Sequence, residues 1–425
     1  MAKIIIDKVS VGAEREPLKS AFGFKGNALT YLLQTSVAVF GAGEVGVGAG
    51  VQSVLWSDSV IFARYGEERG NELMLGVTKF AVKRLSGTEF TDPPTALERI
   101  FSECYAYACE ICDAKVSETF VLNSLVPIDL ALWMLYAKVN KSEGFDDIFP
   151  AKKKEDCLAN IPLITYGTKI SDVIAIAKAG TPIFKIKLGS DPDRDGDPKK
   201  MLAWDMKRAL EIHEALREVK TEYTTTGQVA YYFDANGRYD TKDRLARLID
   251  FMESKKILAQ TVLFEEPFDE KNEIFLGDLP CTFAADESIH NTNDVKRRIE
   301  LGYRALTLKP IAKTLSLTLK MQDYARRMGI QSFCADLTVN PLMREWNKCV
   351  AARLEPIRGM KIGIMESNGA QNYTNWDRML NYLPVREEAT SEIIYRPADN
   401  FSGKGLFVTP EHYLEIAKKG ESYGN

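Results

Sequence analysis

From Ile161 onward the chain repeats one unit, a short apolar run followed by an amphipathic helix. The runs lie at 162–166, 183–188, 229–234, 261–265, 282–286, 305–309, 332–335 and 361–365. Helical periodicity falls between them, at 171–179, 199–219, 241–254, 293–301, 316–328 and 341–354. Eight strands alternating with helices predict an α/β fold, a (β/α)8 barrel of the TIM type. In such a barrel, functional groups collect at the C-terminal ends of the strands.

The second run, Phe184-Lys185-Ile186-Lys187-Leu188-Gly189, carries two lysines one residue apart. On a strand they share a face, opposite Phe184, Ile186 and Leu188. Lysine is rarely buried without a reason. Two stacked ammonium groups repel, so both pKa values are expected to fall, as in a lysine base. Read alone, an exposed edge strand guarded by lysines is the simpler account.

The ends of the following runs change that preference. The third ends Phe233-Asp234-Ala235-Asn236, the fourth Phe264-Glu265-Glu266-Pro267, the fifth Ala285-Asp286-Glu287-Ser288 and the sixth Leu308-Lys309-Pro310. One such acid is an ordinary helix cap. Acids on three consecutive strands repel one another unless a divalent cation binds them. All-oxygen ligands suit Mg²⁺, or Mn²⁺. Strands two and six stand about half a turn apart in an eight-strand ring, which sets Lys187 opposite Lys309. A substrate carboxylate on the metal is then bracketed by two amines. One can remove an α-proton and the other return it on the opposite face.

The order KxK, DxN, E-E-P, D-E-S and a later Lys-Pro resembles the enolase superfamily, in its muconate-lactonising subgroup, which includes dipeptide epimerases. The resemblance extends to the helix around Ile128-Asp129-Leu130-Ala131-Leu132-Trp133. It implies Mg²⁺ on Asp234, Glu265 and Asp286, and Lys187 and Lys309 as the acid/base pair. Lys185 becomes an electrostatic helper and Asn236 a residue behind the ligands. Lysine with Mg²⁺ stabilising an enediolate is a pattern of this superfamily. Racemisation or epimerisation is the expected reaction, with β-elimination or cycloisomerisation on the same scaffold as the alternative. A barrel that has lost catalysis and serves as a binding protein is the alternative of another class. Glu266 and Glu287 are expected to point away from the metal. Asp234→Asn is expected to relieve like-charge repulsion.

The sequence departs from the subgroup after strand eight. Dipeptide epimerases carry Asp-x-Asp there, whereas this chain reads Met365-Glu366-Ser367-Asn368-Gly369. None of His213, His290 and His412 falls at the end of strand six or seven, so a His–Asp pair is not expected. Candidate substrate contacts are Asp336, Glu366 and Asn368 at the mouth. Phe22 and Lys25 join them from the glycine-containing segment Ser20-Ala21-Phe22-Gly23-Phe24-Lys25, which has the character of a lid.

Residues 1–155 are expected to form an α+β capping domain, 156–385 the barrel, and 386–425 a segment returning to the cap. The cap contains Gly41-Ala42-Gly43-Glu44-Val45-Gly46, a GxGxxG after a strand. A dinucleotide site needs a helix next. Val47-Gly48-Ala49-Gly50-Val51 follows instead, and its glycines suit a second strand after a tight turn. Asp191-Pro192-Asp193-Arg194-Asp195-Gly196 begins like a calcium loop, but the twelfth position is Leu202, so a solvated loop is expected.

The 425 residues carry a formal charge of −4 and no basic block, so no nucleic acid is expected. No stretch of about twenty apolar residues is evident, so no membrane span is expected. An acid at Asp7 argues against a signal peptide. Seven scattered cysteines suit reduced thiols, hence a cytoplasmic protein. The expected partner is a small carboxylate, and the chain is expected to form a homo-oligomer.

Overall fold

A computed structural model describes residues 3–24, 27–385, 391–396 and 401–424; the side chains of 22–24 lie outside the description. The repeated units form the barrel. Its strands are Ile183–Lys187, Ala230–Asp234, Thr261–Glu265, Phe283–Ala285, Ala305–Leu308, Gln331–Cys334 and Gly363–Met365, joined in one parallel ladder. The remaining strand differs from its expected extent. It begins at Leu158, and splits into Leu158–Asn160 and Leu163–Ile164. The first piece pairs with Gly363–Met365 and the second with Ile183–Lys187, which closes the ring. The break falls at Ile161-Pro162. Ile161 N–H still donates to Met365 O, but Pro162 has no N–H and only accepts, from Lys185 N. The chain therefore changes ladder partner at the proline.

Period 2 sorts the side chains. Ile183, Ala230, Tyr232, Leu263, Ala284, Ala305, Phe333 and Ile364 form a buried cluster of their own. Phe184, Ile186, Tyr231, Phe233, Phe264, Phe283, Leu306 and Leu308 belong to the larger core with the helices. Lys185 and Lys187 continue the series begun by Ile183, so they share its inward face. Five of the helices after the strands start where short polar side chains cap them. Asp197, Thr241, Asn291, Thr314 and Asn340 each accept a backbone N–H of the first turn.

The cap is an antiparallel sheet of Lys8–Phe24, Asn27–Gly41 and Glu44–Gln52, with Glu421–Gly424 added beside the first. The C-terminal segment divides, because Ile394–Tyr395 pairs antiparallel with Leu158–Ala159 of the barrel. The GxGxxG stretch is a hairpin. Ala42 (φ 51°) and Gly43 (φ 79°) make a two-residue turn of the kind that favours left-handed backbone. Gly46, Gly48 and Gly50 lie against helix Glu118–Val139. A Cβ on Gly46 or Gly48 meets the Ala131 or Pro127 carbonyl oxygen at 2.0 Å. The alternate glycines thus let a helix backbone rest directly on a strand.

Helix Glu118–Val139 corrects one expectation. By length and composition it is apolar enough to cross a membrane, although no such stretch was evident in the sequence. Nearly all of it is buried, packed between the cap sheet and helices Ser59–Leu85 and Pro93–Ile111. Asp129 projects from it to the barrel. Its carboxylate accepts Ser316 N at 2.8 Å and Ser316 Oγ at 2.5 Å, while Trp133 Nε1 donates to the same Oγ.

Candidate active site

The C-terminal strand ends bring together Lys185, Lys187, Asp234, Asn236, Glu265, Asp286, Lys309 and Glu366. Lys187 Nζ lies 2.5 Å from Asp234 Oδ2 and 2.5 Å from Asn236 Oδ1. Lys185 Nζ sits 3.0 Å from Asp234 Oδ2, 3.3 Å from Glu265 Oε1 and 3.2 Å from Glu366 Oε2. Across the mouth, Lys309 Nζ lies 2.5 Å from Asp286 Oδ2. Three strands separate Lys187 from Lys309 in the ladder, and the acids occupy them. The arrangement is an acidic arc with an ammonium group at each end.

The electrostatics reverse the expectation for Lys185. Burial alone pulls Lys185 down, but Asp234, Glu265, Glu366 and Asp286 outweigh it and hold the amine well above its usual range. Lys309 behaves likewise, with burial opposed by Asp286, Glu287 and Glu265. Lysine–lysine repulsion is the smaller effect once carboxylates stand on the neighbouring strands. The acids divide. Burial would raise Asp234, but Lys185 and Lys187 take it below the carboxylate range. Asp286 is lowered in the same way by Lys309 and Lys313. Glu265 is pushed up to about 7, chiefly by burial, with Asp286 and Glu287 adding repulsion against Lys185. Glu266 is pushed up to about 8 by burial and by Glu287.

The acid cluster fits a metal ion. One ligand oxygen each from Glu265, Asp286 and Glu287 lie within 4.8 Å of one another. Asp286 Oδ1 and Glu287 Oε2 are buried and have no hydrogen-bond partner among the described residues. Buried carboxylate oxygens without donors are costly, and a hard divalent cation satisfies several at once. Glu287 therefore does not point away. Asn236 Nδ2 holds its Oε1 at 3.1 Å, and Asn236 has the unusual φ of 43°. Glu266 does turn aside. Its Oε2 accepts Asp286 N at 2.6 Å and Ser288 Oγ at 3.0 Å, from a backbone with φ 36°.

Of the mouth candidates, Asp336 accepts the backbone N–H groups of Leu337, Val339 and Asn368, and burial pushes it up to about 6. Asn368 Oδ1 accepts Thr338 Oγ1. Phe22 pairs through its backbone with Leu29, while its side chain and all of Lys25 lie outside the described residues. His290 stands 3.4 Å from Asp294 and 3.7 Å from Glu270. In the Asp191–Gly196 loop, Lys200 Nζ sits 2.7 Å from Asp193 and 2.6 Å from Asp195, where a calcium ion would have to be.

Three further residues escaped the sequence reading. Lys313 is buried and donates to the carbonyls of Asp286 (2.6 Å) and Ile289 (2.9 Å). Its signal was spacing, four residues after Lys309. Thr307 Oγ1 donates to Glu265 Oε2 at 3.1 Å, and its inward position two before Lys309 was legible by period 2. Trp56, from the short cap helix Val54–Ser57, lies beneath Lys309 Nζ at 4.8 Å from the ring centre. A contact across the cap–barrel seam has no local signal.

The chain shares its fold with solved structures of enolase-superfamily members. No protein-family model matches it, and no curated protein matches it by sequence. Among solved structures it is similar to a dipeptide epimerase from Cytophaga hutchinsonii, complexed with Mg and the dipeptide D-Ala-L-Val. The identity is 17% and the TM-score 0.67, over 99% of this chain and 100% of that one. It is similar also to a mandelate racemase/muconate lactonizing protein from Herpetosiphon aurantiacus, at 18% identity and TM-score 0.66, covering 94% and 97%. A mutant L-talarate/galactarate dehydratase liganded with Mg and L-glucarate matches at 16% and 0.66, covering 100% and 94%. At these identities the likeness is one of fold.

Proposed function

We propose that this protein is a Mg²⁺-dependent enzyme that abstracts the proton α to a substrate carboxylate, and that it racemises or epimerises its substrate. The observation that carries this reading is the pair of lysines at opposite ends of one acidic arc, Lys187 on Asp234 and Lys309 on Asp286. The proposed ligands are Asp234, Glu265 and Asp286, with Glu287 as a further oxygen beside them. Bound there, the cation would act as a Lewis acid toward the substrate carboxylate and offset the charge of the acids. Lys187 takes the proton from one face and Lys309 delivers one to the other, then each reverses its part for the opposite enantiomer. Asn236 holds Lys187 in place. Lys185, behind Lys187, sets the field at the acids and is not itself a base. The similar structures with Mg and a dipeptide, and with Mg and L-glucarate, support a small carboxylate as substrate.

One asymmetry favours a second reading. The Lys187 side chain keeps 17% of its exposure and Lys309 only 6%. Lys309 also rests on Trp56. A lysine so enclosed serves well as a fixed positive charge, as β-elimination or cycloisomerisation requires.

Proton NMR of pure enantiomers in D₂O separates the two. In a two-base enzyme, Lys187→Ala loses α-proton exchange from one enantiomer by roughly 10²–10⁴-fold and retains slow exchange from the other. Lys309→Ala shows the mirror pattern. Equal loss of both exchanges in both variants favours the one-base reading.

A further inference from the structure

Resting on the proton-abstraction reading, we propose that Asn160 is a positioning residue of the active site. Its side-chain amide holds the end of the eighth barrel strand, which keeps Glu366 on Lys185 and draws Lys185 off the cation site. The break in the first strand makes this necessary. Ile161 N–H still donates to Met365 O, but Pro162 and Leu163 turn to the strand Ile183–Lys187. Ser367, two residues beyond Met365, is held by the Asn160 side chain in place of that ladder. Asn160 Oδ1 accepts Ser367 N at 2.9 Å, and its Nδ2 donates to Ser367 O at 3.0 Å. Nδ2 also donates to Glu392 O at 2.9 Å, so both amide donors and the oxygen are engaged. One side chain supplies the acceptor and the donor that a peptide group gives elsewhere in the ring.

Glu366 is thereby fixed from both sides. Its own N–H donates to Cys334 O on the seventh strand at 2.9 Å, and the next residue is tied to Asn160 on the first. Glu366 stands two residues after Ile364, whose side chain belongs to the inward cluster, so it shares that face. There its Oε2 lies 3.2 Å from Lys185 Nζ. The same ammonium stands 3.0 Å from Asp234 and 3.3 Å from Glu265, both proposed cation ligands. Those two acids lie on the third and fourth strands, whereas Glu366 approaches from the eighth. Glu366 therefore pulls the ammonium away from oxygens that a cation needs. Without that pull, Lys185 closes on Asp234 and Glu265 and competes with the ion.

The test uses the full chain and reads Mg²⁺ affinity by calorimetry and Tm by thermal unfolding. The parent, Asn160→Ala, Glu366→Gln and the double variant are compared at a temperature where all are folded. Asn160→Ala should weaken Mg²⁺ binding about threefold or more, the scale at which contacting residues couple. Glu366→Gln removes the pull without touching the backbone, and should weaken binding at least as much. In the Glu366→Gln background, adding Asn160→Ala should change the affinity by less than about twofold. A residue that merely stabilises the fold lowers Tm in both backgrounds without this dependence on Glu366. Unchanged affinity in Asn160→Ala or in Glu366→Gln overturns the proposal and leaves the cation site standing. So does an equal fall on adding Asn160→Ala to either background. A parent that binds no Mg²⁺ overturns this proposal and the proton-abstraction reading together.

Discussion

The inward face of the barrel strands is one surface with two unlike halves. At the floor stand Ile183, Ala230, Leu263, Ala284, Ala305 and Phe333, all buried in one apolar cluster. Two or four residues further along the same strands, on the same face, stand Lys185 and Lys187, Asp234, Glu265, Asp286 and Lys309. Backbone, curvature and burial are shared, and only the side chains differ. The floor lowers free energy by removing apolar surface from water. The mouth raises it, because buried ions are desolvated and their pairing rarely returns the whole cost. The charges are therefore held by the floor and serve chemistry.

This contrast predicts that floor and mouth substitutions fail differently. Phe333 packs edge-on against Tyr232 with ring centres 5.4 Å apart. Phe333→Ala should cost about 3–5 kcal/mol of stability, read by chemical denaturation. Mg²⁺ affinity at a temperature where the variant stays folded should be nearly unchanged. A large loss of affinity would mean that floor and mouth are not separable.

Asp129 is an exception that sharpens the rule, a buried acid far along the chain from the mouth, at the cap–barrel seam. Burial pushes it up to about 7 despite its hydrogen bonds from Ser316. An acid raised in the folded state contributes stability that is full below its unfolded pKa, near 3.9, and is lost as pH rises through 7. Asp129→Asn lacks this dependence. Its stability relative to the parent should improve between pH 5 and pH 8, by an amount on the order of a few kcal/mol. Parallel profiles across that range would show that the carboxyl is not destabilised.

Within the mouth, Glu287 is the smaller lever. Glu287→Gln removes one charge from beside Glu265 and Asp286 and keeps the shape. Mg²⁺ affinity by calorimetry should fall about tenfold, close to 1.4 kcal/mol, whereas an unchanged affinity would return Glu287 to a spectator.

Much of this was legible in the sequence, for a physical reason. Period 2 within a short apolar run fixes which residues share a face, so Lys185 and Lys187 announce an inward pair. Charges at the ends of successive runs announce a common rim. What depends on a third direction was not legible. The first strand's change of partner is set where Ile161 donates to one neighbouring strand and Pro162, lacking an N–H, accepts from the other. Glu287 turns toward the acids because Asn236, two strands away, holds it. The sign of the lysine shift depends on how many carboxylates surround each amine. For the same reason, relief of repulsion does not fall on Asp234. Two lysines stabilise that carboxylate, and Asp234→Asn would leave them short of a partner. The strained acid is Glu265, raised chiefly by burial, with Asp286 and Glu287 adding repulsion.

Thermal unfolding at pH 8, with and without Mg²⁺, for the parent and for Glu265→Gln, tests the central claim that the mouth is a cation site built at a cost in stability. Above pH 7 the parent carries Glu265 ionised and destabilised. It should gain about 2.7 kcal/mol when Mg²⁺ stands at a hundred times its Kd. Glu265→Gln should begin with a higher Tm than the metal-free parent and gain little from Mg²⁺. A parent whose Tm ignores Mg²⁺, or a Glu265→Gln variant that starts lower and still responds to the ion, would contradict the account.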